Sequence, residues 1–352
     1  MQIKPYSPLF VVVAVLIGTM WEATSGIAAD VHRVARAGQQ MNEAQKDDLE
    51  ELVAKTPGDI ESRTKLLGYY FTTGRGDPNA KVAKGQHVLW LINNAPESEV
   101  LGTPYSQLNK FLEPKEYASA NEAWMAAIKA SPNNLAIMKN AARNFLQSDR
   151  EACEELLSRG QKADQSDPYW SSSLGQLYAL GLSRIDAGPE KIAQAKKAFM
   201  QYEMAYELSS PIEKDAMLDN LAKTAFEAGN FAKAKIYAEE MLADQQAGWN
   251  SGNRTHHGNL VLGRIALIED NVDEAKARLL AAGKTTGSPQ LNSFGPNMTL
   301  AKELLERGER QVVLKYFILC GKFWKSPRRS LEEWTKEVSE HRIPNFGANL
   351  AY

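Results

Sequence analysis

Few residues in this chain have the type and spacing to do chemistry. His256 and His257 form the one adjacent imidazole pair. Neighbours on a helix point about 100° apart, so this pair does not share a metal as an i, i+4 pair does. Gly283-Lys284-Thr285 has the ending of a phosphate loop, but Arg278 stands where the motif requires its first glycine, and no strand pattern precedes it. The stretch is read as a helix end followed by a loop. Ser172, Ser173 and Ser293 lack the flanking glycines of a nucleophile elbow, and no His-Glu-(two)-His is present. Glu154-Glu155 and Glu239-Glu240 are read as solvated helix faces and not as acid/base pairs. Cys153 and Cys320 fall where other segments place alanine, so they are expected as small buried hydrophobes and not as a disulfide. The expectation is no catalytic residue, no metal site, no cofactor and no enzymatic activity.

Composition narrows the classes further. The 352 residues carry 41 basic and 43 acidic side chains, mixed throughout, for a net charge of -2. No basic stripe emerges, which predicts no nucleic-acid partner. At the N-terminus, Lys4 precedes an apolar run from Leu9 to Trp21, and small residues follow up to Ala28-Ala29. This layout reads as a secretory signal over 1–29, cleaved after Ala29 or one residue earlier. The run is short for a membrane span, and no second run is long enough. The mature chain from Asp30 is expected to be soluble, periplasmic or secreted, touching a membrane only if the signal segment stays uncleaved.

The elements that would position a site come from a recurring pattern. Leu221-Ala222-(two)-Ala225-(three)-Gly229-Asn230-Phe231-(two)-Ala234 recurs as Leu262-Gly263-(two)-Ala266-(three)-Asp270-Asn271-Val272-(two)-Ala275, 41 residues on. Each copy reads as two helices meeting at a tight turn. Equivalent small residues on second helices are Ala120, Cys153, Ala198, Ala234, Ala275 and Val313, 33 to 45 residues apart. Small residues let helices approach closely, and neighbouring copies supply the core that one copy cannot bury alone. Pro57, Pro96, Pro132, Pro168 and Pro211 mark the ends of helix pairs. Asn42 is placed as a helix cap, Pro78 as a helix start, and Ser148-Asp149-Arg150-Glu151 as a capping box.

Leu174-Gly175-(two)-Tyr178, Gly229-Asn230-Phe231-(two)-Ala234 and Ala120-(three)-Trp124-(two)-Ala127-(four)-Pro132 together resemble the tetratricopeptide repeat. The resemblance covers 58–325, although no copy carries the full pattern and most exceed the usual period of about 34. It implies an all-α, right-handed α-solenoid of antiparallel helix pairs whose concave face, lined by first helices, binds a protein or peptide. The C-terminal third also resembles exported bacterial proteins that end in such repeats. The expected organisation is a signal peptide at 1–29, a helical segment at 30–57, the array at 58–325, and a capping helix and tail at 326–352. Projected on the repeat frame, Tyr69, Tyr169, Gln176, Asp219, Lys223, Phe226, His257, Arg264 and Lys302 are the groove candidates. Aromatic and cationic residues together suit an interaction surface. The expected function is an exported scaffold or adaptor. The alternatives are a carbohydrate- or cell-wall-associated binder with an aromatic platform, and a structural component of an envelope assembly. The 283–297 link and the 343–350 tail are read as Phe-anchored caps over a repeat end.

Overall fold

A computed structural model describes residues 26–74, 76–146, 148–243, 248, 250–325 and 329–350. The apolar run of the expected signal segment lies outside them. All regular structure among the described residues is helical. The chain divides into two compact units between Trp170 and Ser171.

The first unit opens with α1 (Gly26–Gln39), α2 (Glu43–Lys55), α3 (Ile60–Thr73) and α4 (Pro78–Asn94). The expected cleavage point after Ala29 therefore falls within the first turn of α1. α1 and α3 cross with backbone almost touching backbone. A Cβ on Gly68 would overlap the Ala35 carbonyl, and one on Gly38 the Lys65 carbonyl, so only glycine fits at either place. Asn42 caps α2 as expected, and Gln45 completes the capping box in return. Val53, Leu66, Tyr70 and Ala80 form the core beneath these helices.

Beside that core, the Tyr70 hydroxyl donates to Glu50 Oε1 at 2.5 Å, and His87 Nε2 lies 3.0 Å from the same oxygen. Arg63 is permanently a donor, so its contact at 3.0 Å with His87 Nδ1 fixes the tautomer: Nε2 carries the proton and donates to Glu50. Arg63 also lies 3.8 Å from the centre of the Trp90 ring. Burial pushes Glu50 up, but the hydrogen bonds from His87 and Tyr70 outweigh it and hold the carboxyl below its usual range. Two 3₁₀ turns lead to α5 (Pro114–Ala130), α6 (Leu135–Phe145) and α7 (Arg150–Ala163). Asp149, not Ser148, caps α7, with its carboxylate accepting from the Ala152 N–H. The Asp149 carboxylate reaches the orphan donor from the residue next to the helix, one place later than the sequence spacing suggested, while the Ser148 hydroxyl turns back toward the Asn144 and Phe145 carbonyls.

α8 (Pro168–Ala179) carries the division between the units. The second unit continues with α9 (Pro189–Leu208), α10 (Pro211–Glu227), α11 (Phe231–Ala243), α12 (Ser251–Ile268), α13 (Val272–Gly283), α14 (Pro289–Phe294), α15 (Thr299–Glu306), α16 (Arg310–Cys320) and α17 (Ser330–Ser339). Pro168 and Pro211 are the first residues of α8 and α10, so here proline opens the next helix as well as ending the previous one.

The pairs α10/α11, α12/α13 and α15/α16 close with one geometry. Asn230, Asn271 and Glu309 donate backbone N–H bonds to Ala225, Ala266 and Leu304, at 2.8–2.9 Å. The residue before each has positive φ: Gly229, Asp270 and Gly308, at 77°, 59° and 87°. This is the six-to-one closure of a helix end, and it explains why Gly or Asp recurs at that position. All six small residues of the second helices are buried, as their pattern required. Among the described residues each unit is thus all-α, and the second stacks helix pairs of one repeating geometry.

The long link and the tail fold onto the repeat end together. Thr285 Oγ1 donates to the Gly252 carbonyl at 2.8 Å, and Ser288 Oγ to Asn253 Oδ1 at 2.6 Å. Asn349 Nδ2 donates to the carbonyls of Phe294 and Pro296, and its own carbonyl accepts from the Met298 N–H. Phe346 is buried among Phe317 and Trp334.

Candidate functional site

The richest polar arrangement lies in the second unit, where first helices α10 and α12 pack side by side. Facing positions on the two helices carry opposite charges. Arg254 Nη1 donates to Asp215 Oδ1 at 2.9 Å, and Arg264 Nη1 to Glu227 Oε1 at 2.8 Å. Arg264 Nε turns the other way and donates to Glu303 Oε1 of α15 at 2.8 Å. Its guanidinium sits over the Phe226 ring at 4.0 Å. Lys191 of α9 lies 2.7 Å from Glu227 Oε2. Each bridging partner is 37 or 39 residues away, close to one repeat, so a charge on one first helix meets the opposite charge on the next.

Burial pushes Glu227 up, but Arg264 and Lys191 outweigh it and hold the carboxyl below its usual range. Glu303 has no second cation among the described residues; burial prevails there, and its pKa is raised despite Arg264. Arg264 is therefore a bridge across three helices.

Between these two bridges the middle one is not closed. His257 Nδ1 and Asp219 Oδ1 lie 3.9 Å apart, beyond hydrogen-bond distance, and neither atom has a partner among the described residues. The second oxygen of Asp219 accepts from Lys223 Nζ at 2.8 Å. Burial, with Lys223 nearby, pushes His257 well below the usual imidazole value. His256 beside it is bonded elsewhere. Its Nε2 accepts from the Asn297 N–H at 3.1 Å, so Nδ1 bears the proton and donates to the Ala282 carbonyl at 3.2 Å. Both its nitrogens are satisfied, and the ring stacks on Tyr316. The two imidazoles meet edge to face, with centroids 5.0 Å apart, but their nitrogens address different groups.

The sequence-predicted residues fare unequally. Asp219, Lys223, Phe226, His257 and Arg264 come together between α10 and α12. Phe226 and His257 are only 8% and 5% exposed, so they sit between the helices more than on an open face. Lys302 stands on α15, paired with Glu306. Gln176 is half-buried on α8. Tyr69 and Tyr169 belong to the other unit. Tyr69 packs on the Val53–Tyr70 core, and the Tyr169 hydroxyl donates to the Lys139 carbonyl at 3.2 Å. Projection alone missed Asp215, Arg254, Glu227 and Glu303. The signal that could have found them is opposite charge recurring at the repeat period. Gly283-Lys284-Thr285 forms no phosphate cradle: Gly283 ends α13 against Tyr316 and Leu319, and Thr285 is held by Gly252. Glu154, Glu155, Glu239 and Glu240 are exposed on helix faces.

No family model matches the chain, and no curated protein matches it. Among solved structures it is similar to the human IFIT1 dimer with m7Gppp-AAAA, at a TM-score of 0.51 and 19% identity, covering 85% of this chain and 66% of that one. The human IFIT1 dimer with PPP-AAAA aligns at a TM-score of 0.49 and 19% identity, with the same coverage. The chain thus spans just under two thirds of the length of the human protein. At this identity the likeness shows the fold, a tetratricopeptide-like helical repeat. It also corrects one expectation: whole-chain charge balance does not exclude nucleic acid, because a protein of this fold was solved with a capped RNA. Net charge is a sum over the molecule, whereas a repeat protein contacts its ligand through one local face.

Proposed function

We propose that this chain is an exported helical-repeat scaffold that holds an extended segment of a protein partner along the face built by α10, α12 and α15, without catalysing a reaction. The carrying observation is the unclosed bridge between α10 and α12. Asp219 Oδ1 and His257 Nδ1 are enclosed polar atoms with no hydrogen-bond partner among the described residues, beside Lys223, on adjacent first helices. Unmade polar contacts at a helix junction are costly unless something completes them. An amide-bearing chain laid across the junction has the donors and acceptors to do so. An aromatic platform, which glycan binding would want, finds less support. Trp124, Trp170, Trp324 and Trp334 are buried, and Trp90 lies beneath Arg63. The N-terminal segment, with its apolar run and Ala28-Ala29, supplies the export signal of this reading.

The test is a crosslinked pull-down from the envelope fraction, comparing the wild type with Lys223→Glu/Lys302→Glu. Arg264 is left intact because it bridges α10, α12 and α15, and its loss would disturb the fold. A protein recovered by the wild type and lost by the variant supports the scaffold reading. Equal recovery removes this face. Because a protein of this fold was solved with capped RNA, a labelled 5′-capped oligoadenylate is titrated in parallel. Saturable binding of that RNA with no protein partner recovered would replace the protein reading.

A further inference from the structure

The first unit carries a feature that the scaffold reading leaves unused. Between the 3₁₀ turns and α5, the segment 107–113 presents Phe111 and Leu112 to solvent, 73% and 54% exposed. Single exposed apolar residues are common on protein surfaces and need no explanation. What distinguishes this pair is how firmly it is held out. Asn109 Oδ1 accepts from the N–H groups of both Phe111 and Leu112, at 2.8 and 3.1 Å. The next residue, Glu113, is buried. Its Oε2 accepts from the Asn109 N–H at 2.8 Å, and its Oε1 from Lys84 Nζ at 3.1 Å. Lys84, buried as well, donates also to the Gln107 carbonyl at 2.6 Å. Both ends of the loop are therefore tied to one enclosed ion pair, and Pro114 begins α5 immediately afterwards. The backbone hydrogen bonds that hold the turn keep the Phe-Leu tip turned outward.

Charge around the tip is sorted by direction. Lys110 and Lys115 flank it, are exposed, and carry no ion pair among the described residues. The two neighbouring acids face inward: Glu113 to Lys84, and Glu116 with its side chain lying over Gly85 of α4. The outward surface is an aromatic and an aliphatic side chain between two free ammonium groups. That composition fits the boundary between headgroups and acyl chains of an anionic bilayer, where apolar side chains enter and lysines meet lipid phosphate.

We infer that Phe111 and Leu112 form a peripheral membrane anchor, seated on an anionic lipid surface by Lys110 and Lys115. This contact is separate from the signal segment and independent of the α10–α12–α15 face. The test labels Leu112→Cys in the full chain with an environment-sensitive nitrobenzoxadiazole dye; Cys153 and Cys320 are buried and do not compete for it. The dye reports the tip itself, whatever the N-terminal apolar run does. With equimolar phosphatidylglycerol/phosphatidylcholine vesicles, dye emission is expected to shift to the blue and brighten, and with pure phosphatidylcholine far less. One lysine near an anionic surface contributes about 1 kcal/mol, roughly fivefold in affinity, so adding Lys110→Gln/Lys115→Gln should weaken the response roughly 30-fold. Unaltered circular dichroism would show that the variants remain folded. Emission that stays water-like on anionic vesicles overturns the inference, even if the protein sediments with them. So does an equal shift in the lysine variant. A shift produced by soluble protein and not by vesicles would assign the tip to a protein pocket and likewise overturn it.

Discussion

Replacing Arg264 with methionine tests whether charge holds α12 between its neighbours. Methionine keeps an apolar chain over Phe226 but removes the guanidinium that reaches Glu227 and Glu303 at 2.8 Å each. Stranding one partner of a buried ion pair typically costs about 3–5 kcal/mol. Two features reduce that here. Lys191 still compensates Glu227 from 2.7 Å. The three linked side chains also retain 18%, 20% and 28% exposure, so water screens part of the loss. About 2 kcal/mol is the expected cost. For a unit of this size, melting shifts about 2–4 °C per kcal/mol, so the second unit should melt roughly 4–8 °C lower.

The pH dependence supplies an independent check. Burial already holds Glu303 above the usual carboxylate range, with Arg264 pulling the other way. Without Arg264 the folded-state pKa rises further. A carboxyl whose folded pKa exceeds its unfolded one binds its proton more readily in the native state. The variant should therefore regain stability relative to wild type as pH falls from 7.5 to 5. Adding Glu303→Gln removes the stranded charge and should recover about half the loss. Calorimetry and urea unfolding of the two variants and the wild type, at both pH values, read all of this. A loss below about 0.5 kcal/mol, a loss independent of pH, or no recovery in the double variant would refute the bridge.

Three further outcomes are expected. Burial holds His256 and His257 neutral, far below the usual imidazole value, whereas the unfolded chain takes up protons below about 6.5. Stability of the second unit should then fall by about 2–4 kcal/mol between pH 7 and 5, and urea midpoints that do not drop over that range would contradict the neutral assignment. Gly68→Ala drives a Cβ into the Ala35 carbonyl, so α1 and α3 must separate; a cost of at least about 1–3 kcal/mol is expected, read as lost hydrogen-exchange protection in α1. Burial pushes the Cys153 thiol up to about 12 and raises Cys320 too, so Ellman's reagent should titrate both cysteines only after denaturation. Fast reaction in the native protein would mean that either helix pair opens readily.

The sequence by itself determined the repeat architecture. Helix–turn–helix closure is local: it needs a residue tolerant of positive φ, a following N–H within reach of the helix end, and small residues at fixed offsets. Gly229, Asp270 and Gly308, with Ala234, Ala275 and Val313, state those requirements within a dozen residues each. The exchange at α7 shows the limit even of local reading. Ser148 and Asp149 both suit a cap by type, and only the backbone geometry gave the site to Asp149. Charge was less legible. Lys223, Arg264 and Lys302 look alike as exposed-type cations on first helices, yet Arg264 spans three helices while Lys302 pairs only within its own turn. That difference depends on which acids lie a repeat away and on how deeply the helices bury them. The same holds for the unclosed His257–Asp219 contact and for the buried Lys84–Glu113 pair that holds Phe111 and Leu112 outward. A repeat pattern fixes which helix faces which. Whether two polar atoms end 2.8 or 3.9 Å apart is set by the packing of every helix around them, and only the tertiary structure decides it.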